Sequence, residues 1–346
     1  PFVLPDFQNE YGNRTNEMKS WGTKNTSEKS RYTPNDFFRT GVNFTNSATL
    51  TSGNERNQIY LSLGSSTVSG IIPNNGYNRY NFTFRNTSSM LGDKLLLDVG
   101  ASYIIQNDRN MTNQGVYANP LVTSYLYPRG NDYNDMAMFE YFDTTRDIYT
   151  QTWNNLISEF VGQNPYWINY RNIRTNKKYR YMMNTGLTYK VTDWLNVVGR
   201  IRIDNATNTF EKKYYASTNT TIAGANGQYA KMKTDDKQVY GDVMLNINKH
   251  FLENKLSFVA NVGASLSDIK QDQTGLDGPI ADNLIPNVFN EYQVDAAREK
   301  RLPSGYHEQT KSLLGSLELG WKSQLYLTVT GRNDWPSMLA GPHSNK

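Results

Sequence analysis

The feature of this sequence that most limits its fold is an alternation of apolar and polar residues that persists over unusually long segments. From Leu195 to Ile203 every second residue is apolar or glycine, and the residues between them are mostly polar. The same pattern returns around Leu95 and Leu256. Because successive side chains of a strand point to opposite faces, the pattern predicts long β-strands with one apolar and one polar face.

We predict ten such strands, each at least twice as long as the roughly 5–6 residues typical of soluble strands. A tilted strand that crosses a bilayer needs about 9–11 residues plus its ends. The lengths therefore favour strands that span a membrane. The predicted segments are 41–53, 57–69, 78–91, 94–106, 179–191, 194–208, 237–248, 255–268, 310–321 and 324–335.

The connections between these segments alternate in length. The short ones are 54–56, 92–93, 192–193, 249–254 and 322–323, and the long ones are 70–77, 107–178, 209–236 and 269–309. Tight periplasmic turns and long extracellular loops are typical of outer-membrane barrels. The predicted fold class is therefore all-β, an antiparallel transmembrane β-barrel of which these ten strands form a part. A run of soluble β-sandwiches is the alternative.

Composition excludes several classes of function. The chain has 36 basic and 32 acidic residues, and a net charge of +4 spread this evenly does not favour nucleic-acid binding. It has no cysteine, and its three histidines have no ligand-like spacing, so we predict neither a metal site nor a cofactor. No apolar run approaches the roughly 18 residues that a spanning helix needs. We find no catalytic constellation and predict that the protein is not an enzyme.

Several short phrases in the sequence resemble the SusC/RagA family of TonB-dependent outer-membrane transporters. One departure is Pro336, which follows Trp335 where the family usually has small hydroxylated residues. Together the phrases extend over nearly the whole chain. They are 7–12 (FQNEYG), 36–41 (DFFRTG), 164–167 (NPYW), 187–190 (LTYK), 193–195 (DWL), 285–287 (IPN) and 325–335 (LYLTVTGRNDW).

The resemblance implies a 22-stranded barrel that encloses a plug domain, and plugged barrels of this size are a known class. The ten predicted strands would then be a contiguous section of that barrel, without the plug or the segment that contacts TonB. We expect residues 1–36 to be an extracellular loop segment and 37–335 to be part of the barrel. Extracellular loops are expected at 107–178, 209–236 and 269–309, and 336–346 should begin the next loop.

The resemblance further implies TonB-dependent import of a large nutrient, with oligosaccharide as the leading substrate class. The implied partners are a SusD-like surface lipoprotein, TonB–ExbB–ExbD acting through a plug region, and outer-membrane lipid with lipopolysaccharide. Two alternatives stay open. One is an oligopeptide importer of the RagA type, and the other is a transport-inactive scaffold in an outer-membrane complex.

Charged residues on the polar parity are candidates for the lumen of the barrel. The functional interpretation is a polar track for substrate and contacts to a plug. The alternative is that any lumen-facing residue must be polar because it meets water. The candidates are Arg85, Arg200, Arg202, Glu318 and Arg332, and the residues predicted to face lipid are Leu95, Leu97, Val99, Leu195, Val197, Ile201, Phe258 and Val262.

The connection 107–178 is rich in aromatic residues. Flat amphipathic rings suit stacking on sugars and also suit a protein interface. The alternative is that a loop of this length needs a small core of its own, and the spacing from 148 to 161 predicts a helix inside it. The candidates for contact with substrate or a lid protein are Tyr125, Tyr127, Trp153, Tyr166, Trp167 and Tyr170.

Overall fold

The computed structural model describes residues 32–127, 132–153 and 162–339. Within these ranges ten long strands form one antiparallel sheet, called the wall below, in which each strand pairs with the wall strands that precede and follow it. The wall strands are β1 (Val42–Gly53), β2 (Asn57–Ser69), β3 (Gly76–Met90), β4 (Leu95–Arg109), β7 (Asn172–Thr192), β8 (Leu195–Tyr215), β9 (Gly227–Phe251), β10 (Leu256–Pro279), β12 (Ser304–Trp321) and β13 (Leu325–Pro336).

Shorter elements lie in the long connections between wall strands. β5 (Glu140–Asp143) and β6 (Ile148–Gln151) form a separate two-stranded hairpin, and β11 (Lys300–Arg301) pairs with β10 at Leu276 and Asp277. The short elements are α1 (Pro120–Leu126), α2 (Tyr133–Ala137), β5 (Glu140–Asp143), β6 (Ile148–Gln151), α3 (Pro165–Arg171), β11 (Lys300–Arg301), and 3-10 turns at Pro34–Phe37 and Glu291–Gln293. The family-like phrase at 7–12 and residues 340–346 lie outside the described residues.

The predicted antiparallel wall of ten strands in sequence order is confirmed, but several strands are longer than predicted. β9 begins at residue 227 instead of 237, and β10 continues to residue 279 instead of 268. β7 and β8 extend in the same direction, to 172 and 215. The added segments carry polar residues on both parities, so the apolar alternation used for prediction ends before the strands do.

The strand registers keep all apolar parities on a single face of the wall. In one row across the sheet Leu187 pairs with Gly199, Gly199 with Val243, Val243 with Ala264, and Ala264 with Leu313. Because a slip of one residue would turn a strand's apolar set to the other side, this continuity excludes a one-residue slip between neighbouring strands. We call this side the apolar face and the opposite side the polar face.

The apolar face is not a buried core. None of the eight residues predicted to face lipid is buried, and Ile201 and Val262 are 57% and 54% exposed. A soluble sandwich would hide this parity between two sheets. Instead, the larger buried cluster surrounds Tyr32, Phe37 and Met136 in the connections. No helix in the described part of the chain is long and apolar enough to cross a membrane.

The two edges of the wall differ in structure. At one edge the strands are joined by the short links 54–56, 91–94, 193–194, 252–255 and 322–324. At the other edge, the longer connections and the segment before β1 pack over the strand ends. These residues are 32–41, 70–75, 110–127, 132–153, 162–171, 216–226 and 280–303. We call this second set of residues the loop cap. The candidate sites lie in the loop cap and on the polar face.

Candidate functional site in the loop cap and on the polar face

The loop cap has an aromatic core. The rings of Tyr32 and Tyr127 meet edge to face with centroids 5.1 Å apart, and the Tyr127 ring stacks on Trp153 at 5.5 Å. Phe37 meets Tyr166 at 5.3 Å. Such ring pairs stabilise a cluster beyond the area they bury. Burial raises the pKa of Tyr32 and of Tyr166 above the usual range of a tyrosine, so both stay neutral.

Residues Asn164 to Trp167 link the connection between β4 and β7 to the connection between β8 and β9. The Asn164 side chain accepts a hydrogen bond from the Tyr166 N–H at 2.9 Å, which caps α3, and its amide donates to the Met136 carbonyl at 2.8 Å. The Trp167 ring is fully buried, and its Nε1 donates to Thr218 Oγ1 at 3.0 Å. A buried polar group needs such a partner, so this segment is a structural junction.

The aromatic residues predicted to contact substrate or a lid differ in exposure. Trp167 and Tyr127 are 0% and 6% exposed, so their rings cannot form a contact surface in this structure. Trp153 and Tyr166 are half-buried in the same core. Tyr125 and Tyr170 are 53% and 41% exposed, and a contact role stays a prediction for these two.

The helix predicted from 148 to 161 is wrong at its start, because Ile148–Gln151 is strand β6 of a hairpin. Residues 154–161 lie outside the described residues. The connecting turn carries its own signal, since Asp143 Oδ1 accepts a hydrogen bond from the Thr145 N–H at 2.9 Å and Asp147 has a φ of 55°. Aspartate supports such turns, so the residues 143–147 pointed to a hairpin.

The hairpin presents rings that the sequence interpretation missed. Phe142 and Tyr149 meet edge to face at 5.3 Å, and both are about half exposed. The Arg171 guanidinium lies 5.7 Å from the centre of the Tyr149 ring and makes two 2.6 Å hydrogen bonds to Glu140. The bond to Glu140 raises the pKa of Arg171. We call the exposed rings of Tyr141, Phe142, Tyr149 and Tyr170 the aromatic patch.

The polar face is held together by arginine–aspartate pairs between neighbouring strands. Arg85 makes hydrogen bonds of 2.9 and 2.7 Å to the two oxygens of Asp98. Arg200 Nε lies 2.9 Å from Asp242 Oδ1, and Asp242 is only 6% exposed. Two-pronged bonds between arginine and carboxylate are among the stronger polar contacts in proteins. They give this face fixed charges in defined positions.

Arg202 differs from the other predicted lumen residues. It lies beside Arg200 in a recess of about 440 Å³ that is also lined by Asp204, Gln238 and Tyr240. Its guanidinium is 6.0 Å from the centre of the Tyr240 ring, and no ion pair to it occurs within the described ranges. The recess therefore presents one uncompensated cation together with hydrogen-bonding groups.

All five predicted lumen residues lie on the polar face. Glu318 accepts a 3.3 Å hydrogen bond from the Thr328 hydroxyl, and Arg332 Nε donates to Asp334 at 2.8 Å. Arg85, Arg200 and Arg332 thus have carboxylate partners within the wall. That this face lines a lumen stays a prediction.

Comparison with known proteins identifies the fold. No family model and no curated protein sequence matches the chain. Its structure is similar to that of the RagAB peptide transporter, with a TM-score of 0.67 and 14% identity over 88% of this chain and 33% of that chain. For the "open-open" state of the RagAB peptide importer the values are 0.68, 14%, 89% and 33%.

The chain thus spans about a third of the length of the RagAB chains that it matches. At 14% identity such a likeness shows the fold alone. The wall has the fold of one section of the RagAB transporter chain.

Proposed function

We propose that this chain is part of the barrel wall of a TonB-dependent transporter that imports a large nutrient across the gram-negative outer membrane. In this proposal the apolar face contacts lipid, the polar face lines the lumen, and the loop cap lies on the extracellular side. TonB–ExbB–ExbD would supply energy through a plug region contributed by other parts of the transporter. No bond of the nutrient is made or broken.

The observation that carries the proposal is that ten consecutive strands have an exposed apolar face and an opposite polar face, which carries arginine–aspartate pairs on β3, β4, β7, β8, β9 and β13. Large exposed apolar surfaces are rare on soluble proteins and mark contact with a partner or a membrane. On the other side, the wall holds cross-strand pairs such as Arg200–Asp242 next to the open recess around Arg202. This is the distribution of polarity that a wall between lipid and an aqueous lumen needs.

A SusD-like lipoprotein over the loop cap is part of the proposal. The aromatic patch offers exposed apolar area, because its four rings are between 41% and 54% exposed. Arg171, bonded to Glu140, lies over the Tyr149 ring, and Tyr170 stacks on Phe139, so these two rings lose less entropy on binding. Aromatic side chains are enriched in the buried centres of protein interfaces. The patch is therefore our candidate for the lid contact.

Among substrate classes we favour peptides. The two solved structures named above are described as a peptide transporter and a peptide importer. The uncompensated Arg202 in the polar recess, with Gln238 and Tyr240 beside it, complements the carboxylate and amide groups of a peptide. The oligosaccharide predicted from the family resemblance remains the alternative, and the experiment below separates the two.

The test is uptake by cells that lack the gene and carry the full-length protein on a plasmid. Labelled oligopeptides and labelled oligosaccharides of similar size are supplied separately, with and without an uncoupler that removes the proton gradient. We expect protein-dependent, energy-dependent uptake of peptide. Uptake of oligosaccharide alone would reverse the substrate assignment. Normal insertion without uptake of either class would favour the scaffold alternative and contradict transport.

A further inference from the structure

The apolar face carries a groove that lies between the short-link edge and the middle of the wall strands. Its volume is about 810 Å³, and its sides include Leu187, Leu266, Leu313 and Trp335. The bottom of the groove is formed where Gly199, Gly241 and Ala264 supply almost no side chain. A Cβ at Gly199 would meet no atom within 4 Å. Packing within the wall therefore does not require glycine there, and the groove is open space.

A single cation lies at the upper end of this groove. Lys311 pairs across the strands with Leu266 on one side and Trp335 on the other. Its side chain is exposed, and no carboxylate pairs with it in the described part of the chain. Lysine beside tryptophan at the end of an apolar surface is typical of the boundary between hydrocarbon and headgroups.

A second set of basic residues lies on the same face, nearer the loop cap. Lys270 is directly opposite Lys237 on one neighbouring strand and directly opposite His307 on the other. Like charges in directly opposed positions destabilise a sheet unless an anion compensates them. Asp272 pairs with Lys270 at 2.9 Å and Asp268 with His307 at 3.0 Å. Lys237 has no ion pair within the described ranges, although Asp235 lies nearby on its own strand.

From this arrangement we propose that the groove and the two basic positions bind one phosphorylated glycolipid of the outer leaflet. An acyl chain would lie in the groove over Gly199 and Gly241. Phosphate groups would bind Lys311 and, about 14 Å further along the strands at roughly 3.4 Å per residue, Lys237 and Lys270. These basic residues lie on the cap side of the groove. On its other side, toward the short links, the adjacent row consists of Val197, Leu245 and Val262.

The inference rests on the proposed outer-membrane location, and its test must separate the two. The full-length protein is purified in mild detergent from its native outer membrane. Tightly bound phosphorylated glycolipid is then measured by mass spectrometry as moles per mole of protein. Surface labelling of intact cells reports independently whether each variant reaches the outer membrane. Absence from that membrane would contradict the proposed function, whereas insertion without bound glycolipid would contradict only the lipid site.

Three variants test the site. Lys311→Gln and Lys237→Gln each remove a phosphate contact, and we expect each to lower the bound glycolipid roughly tenfold, as for loss of one charge-assisted hydrogen bond. Gly199→Leu fills the groove and should lower it similarly. Reconstitution of the delipidated protein should restore binding from vesicles that contain the glycolipid, and phospholipid vesicles alone should leave the site empty.

Two matched controls come from the same face. Lys249 lies 4.6 Å from the Trp194 ring at the edge with the short links, so Lys249→Gln removes a lysine beside a tryptophan at the opposite boundary. Gly331 also has open space around its Cβ position but lies outside the groove, so Gly331→Leu matches Gly199→Leu. Both controls should retain the glycolipid. Equal retention by all five variants, or a second copy of the protein cross-linked over the groove, would overturn the proposal.

Discussion

The wall and the loop cap place their apolar side chains in opposite environments. In the wall, residues such as Ile201 and Val262 are more than half exposed, although they belong to the most regular secondary structure of the chain. In the loop cap, Tyr32 and Trp167 are fully buried, although their segments are short and irregular. Within the described ranges the fully buried large side chains therefore lie in the connections. The apolar face of the wall is exposed except near the cap, where Tyr229 and Leu276 are buried.

This difference shows that the two regions depend on different sources of stability. Backbone hydrogen bonds between neighbouring strands hold the wall, and its apolar face gains free energy only where a nonpolar solvent covers it. The cap buries its rings within the protein and is stabilised in water. A substitution in the wall should therefore change the free energy of unfolding through contact with the surrounding solvent. A substitution in the cap should change it through internal packing.

The largest effect is expected in the cap, for Trp167→Ala. The change leaves a cavity in a fully buried site and removes the hydrogen bond from Nε1 to Thr218. Truncation of a buried aromatic side chain costs about 3–5 kcal/mol, so the connections around α3 should become sensitive to protease while the wall remains inserted. Limited proteolysis of the full-length protein in outer membranes measures this. Tyr125→Ala, at a half-exposed ring, is the control, and equal protection of both variants would contradict a cap core.

The next effect belongs to the wall, for Val99→Arg on the apolar face. An arginine facing the middle of a bilayer costs about 2–4 kcal/mol, and the cost should disappear if the residue faces water. Reversible unfolding of the full-length protein from vesicles gives the difference in free energy. Ser102→Arg puts the same side chain on the polar face of the same strand and should cost much less. Similar losses for the two variants would show that the faces do not meet different solvents.

The wall could be predicted from sequence because its signal is local. Two-residue alternation is visible within a single strand, so Leu195 to Ile203 identified its own apolar face without knowledge of its neighbours. The predicted strand ends were wrong where the alternation stops before the strand does. β9 continues upward to Gly227 through a segment in which Lys231, Lys233 and Asp235 share the parity that is apolar lower down. Hydrogen bonding to β8 and β10 keeps this segment extended.

The cap could not be predicted in the same way because its contacts are long-range. The Tyr32 hydroxyl donates to the Ser124 carbonyl, 92 positions further along the chain. Nothing near Trp167 in the sequence shows that Thr218 will accept its Nε1 hydrogen. Aromatic content alone therefore selected both buried and exposed rings as contact candidates. The hairpin that carries three of the four rings of the aromatic patch was recognisable only from the turn residues between Asp143 and Asp147.

A smaller effect is expected for Asp242→Asn on the polar face. Asp242 is nearly buried, while Arg200 is partly exposed and can regain water when its carboxylate partner is neutralised. Losing a hydrogen bond between charged groups costs about 1.5–3 kcal/mol, and hydration of Arg200 should keep the loss near the lower value. The same unfolding measurement applies. Asp334→Asn removes a partner of Arg332 where both groups are exposed, and there we expect almost no change. Equal losses would mean that burial of Asp242 contributes nothing.

The smallest effect on stability, and the sharpest test of function, is expected for the aromatic patch. Tyr141→Ser and Tyr170→Ser together remove two exposed rings that are 54% and 41% accessible. Surface substitutions of this kind usually change the free energy of unfolding by less than about 0.5 kcal/mol, so protease resistance should match the wild type. If the patch binds the lid, the SusD-like lipoprotein should no longer copurify with the full-length protein in mild detergent.

Tyr292→Ser provides the matched comparison for this pair. Its ring is 94% exposed but belongs to the separate connection between β10 and β12, outside the aromatic patch. Copurification should survive this change, because loss of a ring elsewhere on the cap leaves the patch intact. Lipoprotein binding that is unaffected in the double variant would exclude the patch as the lid contact. If protease resistance falls as it does for Trp167→Ala, these rings belong to the packing of the cap, and the division between its buried core and its exposed patch is wrong.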